Sequence, residues 1–385
     1  MDPHTDPGID PRIQDPVTDP SGSDLVVLRP HGLQGMLATV PYLLGFHPHD
    51  SLVAVLFDDR RVVVTLRLDS EVLCAEPGGV DAFLRHQLDR LAATGLLLVA
   101  YTDGPAPDVA EALAGLSLAL EAAALSDPAA PEVLEAVHVA GGRYRSVTCS
   151  DESCCPPDGF DYADVLSDPA AAEAVVHGLP AWSDREELRA TVRPLDRDDG
   201  DDGDDETDEG ELDGFRRALV RTLTRIRGVA GGAAAEEMDR ALTEIEETGA
   251  DPDPGQLGRL VALAARPEAR DVATLRIERG SAGLWSRVWA AAARRSSGLE
   301  AAAPLGLVGV AAWARGDGAL VCICLEEAEK VLPDHGLVAL LRNVVEHGLH
   351  PDEWHRMRAR SLARFGPLGP ASAGDRGRGD GRAVG

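Results

Sequence analysis

The run Ser51-Leu52-Val53-Ala54-Val55-Leu56-Phe57 is followed, across Asp58-Asp59-Arg60, by Arg61-Val62-Val63-Val64-Thr65-Leu66-Arg67-Leu68. The first run is apolar at every position after its serine. A strand reads that way when both of its faces are covered. The second alternates, with Val62, Val64, Leu66 and Leu68 pointing one way and Arg61, Val63, Thr65 and Arg67 the other. That is a strand with one wetter face. A second continuous apolar run, Leu96-Leu97-Leu98-Val99-Ala100-Tyr101, lies downstream. Between the two strand regions Val80, Phe83, Leu84, Leu88 and Leu91 recur at helical spacing, so residues 80–93 are expected to form an amphipathic helix opened by Gly78-Gly79. Gly95 suits its C-cap. Strand, helix, strand implies a right-handed parallel crossover.

The same alternation extends in both directions. Upstream, residues 25–28 read as a short strand and residues 33–46 as a helical stretch interrupted at Pro41, with Gly45 near its end. Downstream, a helix is expected over 108–124. A hairpin of 132–139 and 143–147 turns at Gly141-Gly142. Helices near 169–178 and 184–192 follow. From Leu212 onward every strong pattern is helical, with helices near 215–227, 234–248, 255–265, 283–295, 301–314, 318–331, 335–347 and 351–363. The expected fold is an α/β N-terminal domain (a mixed, partly parallel sheet with flanking helices) plus an all-α C-terminal helical-hairpin domain.

Charge marks the boundaries. The 385 residues carry a net charge of −28. Residues 1–23 contain five Asp-Pro pairs, which bar a helix, and read as a disordered tail. Residues 24–195, the acidic α/β domain, hold 26 acids against 11 bases. Residues 196–211 hold 11 acids against one base, a self-repelling, disordered acidic linker. Residues 212–365, the helical domain, are nearly neutral together with the Gly/Arg-rich tail 366–385, which is expected to be disordered. An acidic first domain repels phosphate backbones and anionic headgroups, so neither nucleic acid nor a membrane surface is expected as a partner. There is no run of ~20 apolar residues to span a bilayer, and residues 1–23 lack the apolar core of an export signal. The setting is expected to be cytoplasmic, where six cysteines in a chain of this length stay free or bind metal.

Chemistry concentrates at Cys149, Cys154 and Cys155, followed by Pro156-Pro157. Three thiols within seven residues offer three of the four ligands a structural zinc takes. His138 on the preceding strand and His177 on the following helix are candidates for the fourth. Against zinc stand the missing C-x2-C spacing and the adjacency of Cys154 and Cys155, whose side chains tend to diverge. A redox pair and small buried thiols pinning a proline-rich loop are the other readings. A second candidate site comes from topology. Open α/β sheets bind ligands beyond the carboxyl ends of their strands. Asp69-Ser70-Glu71 ends the strand of 61–68, and Thr102-Asp103-Gly104 ends that of 96–101. Asp69, Thr102 and Asp103 therefore define a possible ligand crevice, or simply make turns.

Val40-Pro41-Tyr42-Leu43-Leu44-Gly45-Phe46-His47-Pro48, running into Asp50-Ser51-Leu52-Val53, resembles the opening motif of an actinobacterial family catalogued as domain of unknown function 4192. The Cys149…Cys154-Cys155-Pro156 cluster and Ala312-Trp313-Ala314-Arg315-Gly316-Asp317-Gly318-Ala319 resemble its middle and later motifs. The resemblance covers residues from about 25 to 355 outside the linker. It implies a cytosolic bacterial protein of unassigned activity and carries over no catalytic residues. Gly309, Gly316, Ala328 and Pro333 also stand at the spacing of the small residues of a tetratricopeptide repeat, although Ala312 and Leu325 occupy its aromatic positions.

No phosphate loop, dinucleotide fingerprint, nucleophile elbow or H-E-x-x-H helix occurs in the sequence. Three function classes remain. The first is a non-enzymatic binding or regulatory module that contacts a protein partner through its helical domain. The second is a metal-dependent or metal-stabilised enzyme centred on the cysteine cluster. The third is a small-molecule-binding α/β domain.

Overall fold

The computed structural model describes Leu28 and residues 30–59, 61–124, 130–194 and 206–367. The expected tail 1–23, linker residues 196–205 and tail residues 368–385 lie outside the described residues. So do residues 25–27 of the expected first strand, and Leu28 carries no strand. The chain divides into two compact units, residues 1–185 and 186–385.

The first unit is built on six strands: β1 (Ser51–Asp58), β2 (Arg61–Asp69), β3 (Gly95–Thr102), β4 (Glu132–Ala140), β5 (Arg143–Ser146) and β6 (Phe160–Asp161). Their order across the sheet is β2-β1-β3-β4-β5-β6. Every residue from Ser51 to Phe57 is at most 5% exposed, as the apolar run requires. On one face Leu52, Ala54 and Leu56 join Leu96, Leu98, Ala100 and Ala136 in a single core. That core is closed by α2 (Ser70–Ala75), α3 (Pro77–Leu91) and α4 (Pro107–Ala124), which contribute Leu73, Leu84 and Leu113. On the other face Val53, Val55 and Val99 are equally buried.

Strand directions refine the expected crossover. β1 pairs antiparallel with both β2 and β3, while β3 and β4 are parallel neighbours. So β2 and β3 do run parallel, but β1 lies between them. The carboxyl ends of β2, β3 and β4 and the start of β1 consequently share one rim of the sheet.

Local structure departs from the sequence reading at three places. Pro41 does not interrupt its helix: α1 runs from Gly32 to Leu44 and ends on Gly45 at φ 79°. A proline costs one backbone hydrogen bond, and the buried Leu33, Met36, Leu37, Val40 and Leu44 offset it. Gly95 is not a helix cap, because α3 ends on Ala92 at φ 50° and Gly95 starts β3. Ser70 and Glu71 belong to α2 rather than to a loop. Beyond the hairpin, β6, α5 (Tyr162–Leu166) and α6 (Pro169–Val176) follow, and α5 and α6 both pack on α1.

The second unit contains α7 (Arg185–Ala190) from Glu186 onward, α8 (Glu206–Ile226), α9 (Gly231–Thr248), α10 (Pro254–Ala264) and α11 (Pro267–Arg276). It continues with α12 (Ala282–Arg295), α13 (Ala302–Arg315), α14 (Gly318–Val331), α15 (Gly336–His347) and α16 (Pro351–Phe365). The unit boundary precedes α7 because Arg189 donates to Glu327 (2.5 Å) and Glu326 (2.8 Å) of α14. α8 starts at Glu206, so the last six residues expected in the linker are helical. α11 carries only Ala269, Val272, Ala273 and Leu275 on its buried side, too little apolar bulk to stand out.

α13 is the axis of this unit, buried at every position from Ala302 to Ala314. Gly306 and Gly309, one turn apart, open the gap that Leu337 and Leu341 of α15 fill. Arg225 and Arg259 converge on the carboxylate of Glu237 at 2.5 and 2.8 Å. α8 and α10 approach closely at Gly258, where an added Cβ would sit 2.3 Å from the Phe215 carbonyl oxygen. Replacing Gly258 by alanine is predicted to destabilise the protein by about 1–3 kcal/mol, because backbone must move. Gly283→Ala, with nothing within 4 Å, should be neutral or stabilising. Chemical denaturation of the two variants checks this.

Candidate metal centre

The cysteine loop leaves the sheet at β5 and returns at β6. Its base is closed by the pairs Arg143↔Asp161 and Tyr144↔Phe160, and the two rings of the second pair stack at 5.3 Å. The Arg143 guanidinium donates to the carbonyls of Asp158 (2.5 Å) and Gly159 (2.6 Å). Glu135 on β4 accepts from the hydroxyls of Ser146 (2.8 Å) and Thr148 (3.2 Å). Ser146 Oγ in turn accepts from the Cys149 amide at 3.0 Å. Glu135 was not singled out in the sequence. Its signal was a carboxylate on a mostly apolar strand beside the cysteines.

Within the loop, one turn decides where the thiols point. The Asp151 carbonyl accepts from the amides of both Cys154 (3.0 Å) and Cys155 (2.7 Å). The Asp151 carboxylate accepts from the Ser153 hydroxyl (2.7 Å) and amide (2.9 Å), and these two bonds hold its pKa below the usual range. On such a helical turn neighbouring side chains leave about 100° apart, not on opposite sides as in a strand. The divergence expected of adjacent cysteines is thereby overcome. The sulfurs of Cys149, Cys154 and Cys155 all lie within 4.8 Å of one another. Zinc–thiolate bonds of about 2.3 Å place tetrahedral sulfurs about 3.8 Å apart, so the cluster needs a contraction of about 1 Å or less. The three residues are partly exposed free thiols. Burial, reinforced by the neighbouring Cys149 and Cys154, pushes the Cys155 thiol up to about 12.

Neither expected histidine joins the thiols. Among the described residues no histidine or carboxylate completes the group. His138, 4% exposed, meets Thr102 instead, with Nε2 2.9 Å from Oγ1. Thr102 donates to the Gly104 carbonyl at 2.9 Å, so it accepts from His138, whose Nε2 carries the proton. Burial lowers the His138 pKa, and Arg145 adds to that effect. His177 is exposed at the C-cap of α6.

The crevice residues Asp69, Thr102 and Asp103 do share one rim, on either side of Ser51, which is paired with Asp69 and Tyr101. Asp69 bonds Arg67 at 2.5 Å, and Asp103 meets His49 at 3.2 Å on the surface. Arg67 also donates to Ser51 Oγ at 2.8 Å. In the second unit a shallow groove of about 680 Å³ is lined by Glu186, Arg189, Arg193, Glu326, Glu327 and Lys330, among others. Burial opposes the charge of Arg189, but bonds to Glu327, Glu326 and Glu186 outweigh it and raise its pKa. That groove is an ion-pair network joining α7 to α14.

Gly159 holds the loop's return at φ +69°, and an added Cβ would lie 2.5 Å from the Tyr144 carbonyl oxygen. Gly159→Ala is predicted to loosen the base of the loop, at a cost of about 1–3 kcal/mol. The three thiols should then react faster with an aromatic disulfide reagent, whereas Gly104→Ala, with open space around it, should leave the rate unchanged.

Comparison with known proteins places the chain by family alone. No curated protein and no solved structure matches it. No helix among the described residues is long and apolar enough to cross a membrane. The family model described as Domain of unknown function (DUF4192) matches residues 34–352. That span takes in α1, the whole sheet, the cysteine loop and the helices through α15, and the chain belongs to the DUF4192 family.

Proposed function

We infer that the chain is a binding protein whose chemical centre is a thiophilic metal ion held by Cys149, Cys154 and Cys155. The observation that carries this reading is the convergence of three sulfurs within 4.8 Å on a loop tied down at both ends. Soft thiolates select zinc or copper(I) over hard cations. Three protein ligands on zinc leave a fourth position for water or for a donor from a bound molecule. A cytoplasmic setting supports the reading, since reducing conditions keep thiols available as ligands.

The other two readings rank behind it. The Asp69–Thr102–Asp103 rim is occupied by its own ion pair and hydrogen bonds. Protein contacts through the helical unit, expected from the sequence, fit a regulatory role for the same chain. Exposed Val220, Leu299 and Val345 are among the apolar positions such a partner would find there. A metal-dependent enzyme would start from the same ion, with substrate in the fourth position.

The test is elemental analysis of the full chain purified without a histidine tag. About one zinc per chain is expected after dialysis, falling to background in Cys154→Ser. Cobalt(II) loading should give the intense thiolate charge-transfer absorption, absent from the variant. Zinc well below one per chain, unchanged by the substitution and without a cobalt–thiolate band, would remove the metal reading.

A further inference from the structure

The cysteine loop brings three soft ligands together but is poorly furnished to carry negative charge. The sulfurs of Cys149, Cys154 and Cys155 lie within 4.8 Å of one another, and among the described residues no histidine or carboxylate supplies a fourth ligand. A charged thiolate centre is steadied by N–H groups that donate to sulfur and by cations nearby. Here those donors are engaged by oxygen. The amides of Cys154 and Cys155 go to the Asp151 carbonyl, that of Cys149 to Ser146 Oγ, and that of Ser153 to the Asp151 carboxylate. Pro156 and Pro157 have no N–H to offer. The charges are no better placed. Residues 143–161 hold Asp151, Glu152, Asp158 and Asp161 against Arg143 and Arg145. The Arg143 guanidinium is itself engaged by the carbonyls of Asp158 and Gly159.

We propose, on the reading that the three sulfurs form one thiophilic centre, that this centre takes arsenic(III), which binds three sulfurs as a pyramid and fills its fourth direction with its own lone pair. Softness alone does not choose among thiophilic ions; coordination number and charge do. Three thiolates leave one negative charge on zinc(II) and two on copper(I), in surroundings that are already acidic. On arsenic(III) they leave none. The exchange needs neither oxidant nor reductant. Arsenous acid, As(OH)3, meets three thiols. Each As–O bond gives way to an As–S bond, and each hydroxide leaves with a thiol proton as water. Arsenic stays trivalent and the sulfurs keep their oxidation state. All three thiols are partly exposed, which admits a solute as small as arsenous acid.

Arsenite titration of the full chain, reduced and loaded with cobalt(II), tests this. About one arsenic per chain is expected to bind and to bleach the cobalt–thiolate absorption. Each of Cys149→Ser, Cys154→Ser and Cys155→Ser should weaken arsenite binding about tenfold or more, since even partners one shell away from an ion are worth that much. Each should still bind phenylarsine oxide, whose arsenic keeps its phenyl group and takes only two thiols; that binding shows the loop is intact. Cys154→Ser/Cys155→Ser, with one thiol left in the loop, should lose this reagent as well. A cobalt band that excess arsenite does not bleach would overturn the choice of ion and leave the metal centre standing. A single variant that holds arsenite as tightly as the wild type would overturn it too, by revealing a two-thiol site. Uptake of neither arsenite nor cobalt would remove the thiophilic centre itself. Arsenite uptake by a chain that takes no cobalt would uphold the proposal and rule out zinc as the resident ion.

Discussion

A strand buried on both faces cannot sit at an edge or open one side to water, and β1 imposes that condition on the first unit. Its residues from Ser51 to Phe57 are shielded above and below, so it needs a strand on each side and cover on each face. β2 supplies one neighbour through the short turn after Asp58. The other, β3, arrives only after α2 and α3 have crossed the sheet. Inserting β1 between two parallel strands is what brings the ends of β2, β3 and β4 to one rim with the start of β1. The polar groups there, Arg67 with Ser51 and His138 with Thr102, are the way buried or half-buried donors are satisfied at that rim.

The cysteine loop depends on the far side of the same sheet. β5 and β6 are short, four and two residues, yet they close the loop as a clasp. Backbone pairing alone would be marginal at that length. The Arg143 bonds to two loop carbonyls, the Tyr144–Phe160 stack and the glycine at 159 add what the ladder lacks. A tethered loop loses little further entropy when its thiols take an ion, which is the sense in which it is preorganised.

Close approach governs the helical unit. α13 is buried all round, so neighbours must reach it on several sides, and glycines at 306 and 309 set how near α15 comes. At Gly309 a Cβ would meet Leu341 at 2.3 Å and Cys324 Cβ at 3.3 Å, so both neighbours press on the same residue. Charge is handled by convergence, as at Glu237 between Arg225 and Arg259 and at Arg189 among three glutamates.

Apolar periodicity is local, and much of what it controls was readable in the sequence: the doubly buried run of β1, the alternation of β2 from Val64 onward, where the bulge that turns Val62 to the other face ends, the Gly141-Gly142 hairpin and most of the long helices. Short elements were not. α2, α5 and β6 are too short for a period to register, and α11 carries small residues where a stripe would show. The three cysteines were legible as candidates by residue type, and family membership by motif. Whether their sulfurs meet was not, because it turns on the Asp151 carbonyl accepting two amides. His138 was drawn to Thr102 by strand register rather than to the thiols nearby in sequence. Composition and pattern alone determined which of the longer segments are strand or helix and which cysteines carry chemistry. Only the tertiary structure decided which of those side chains share a site, since that follows from strand order and turn geometry between residues far apart along the chain.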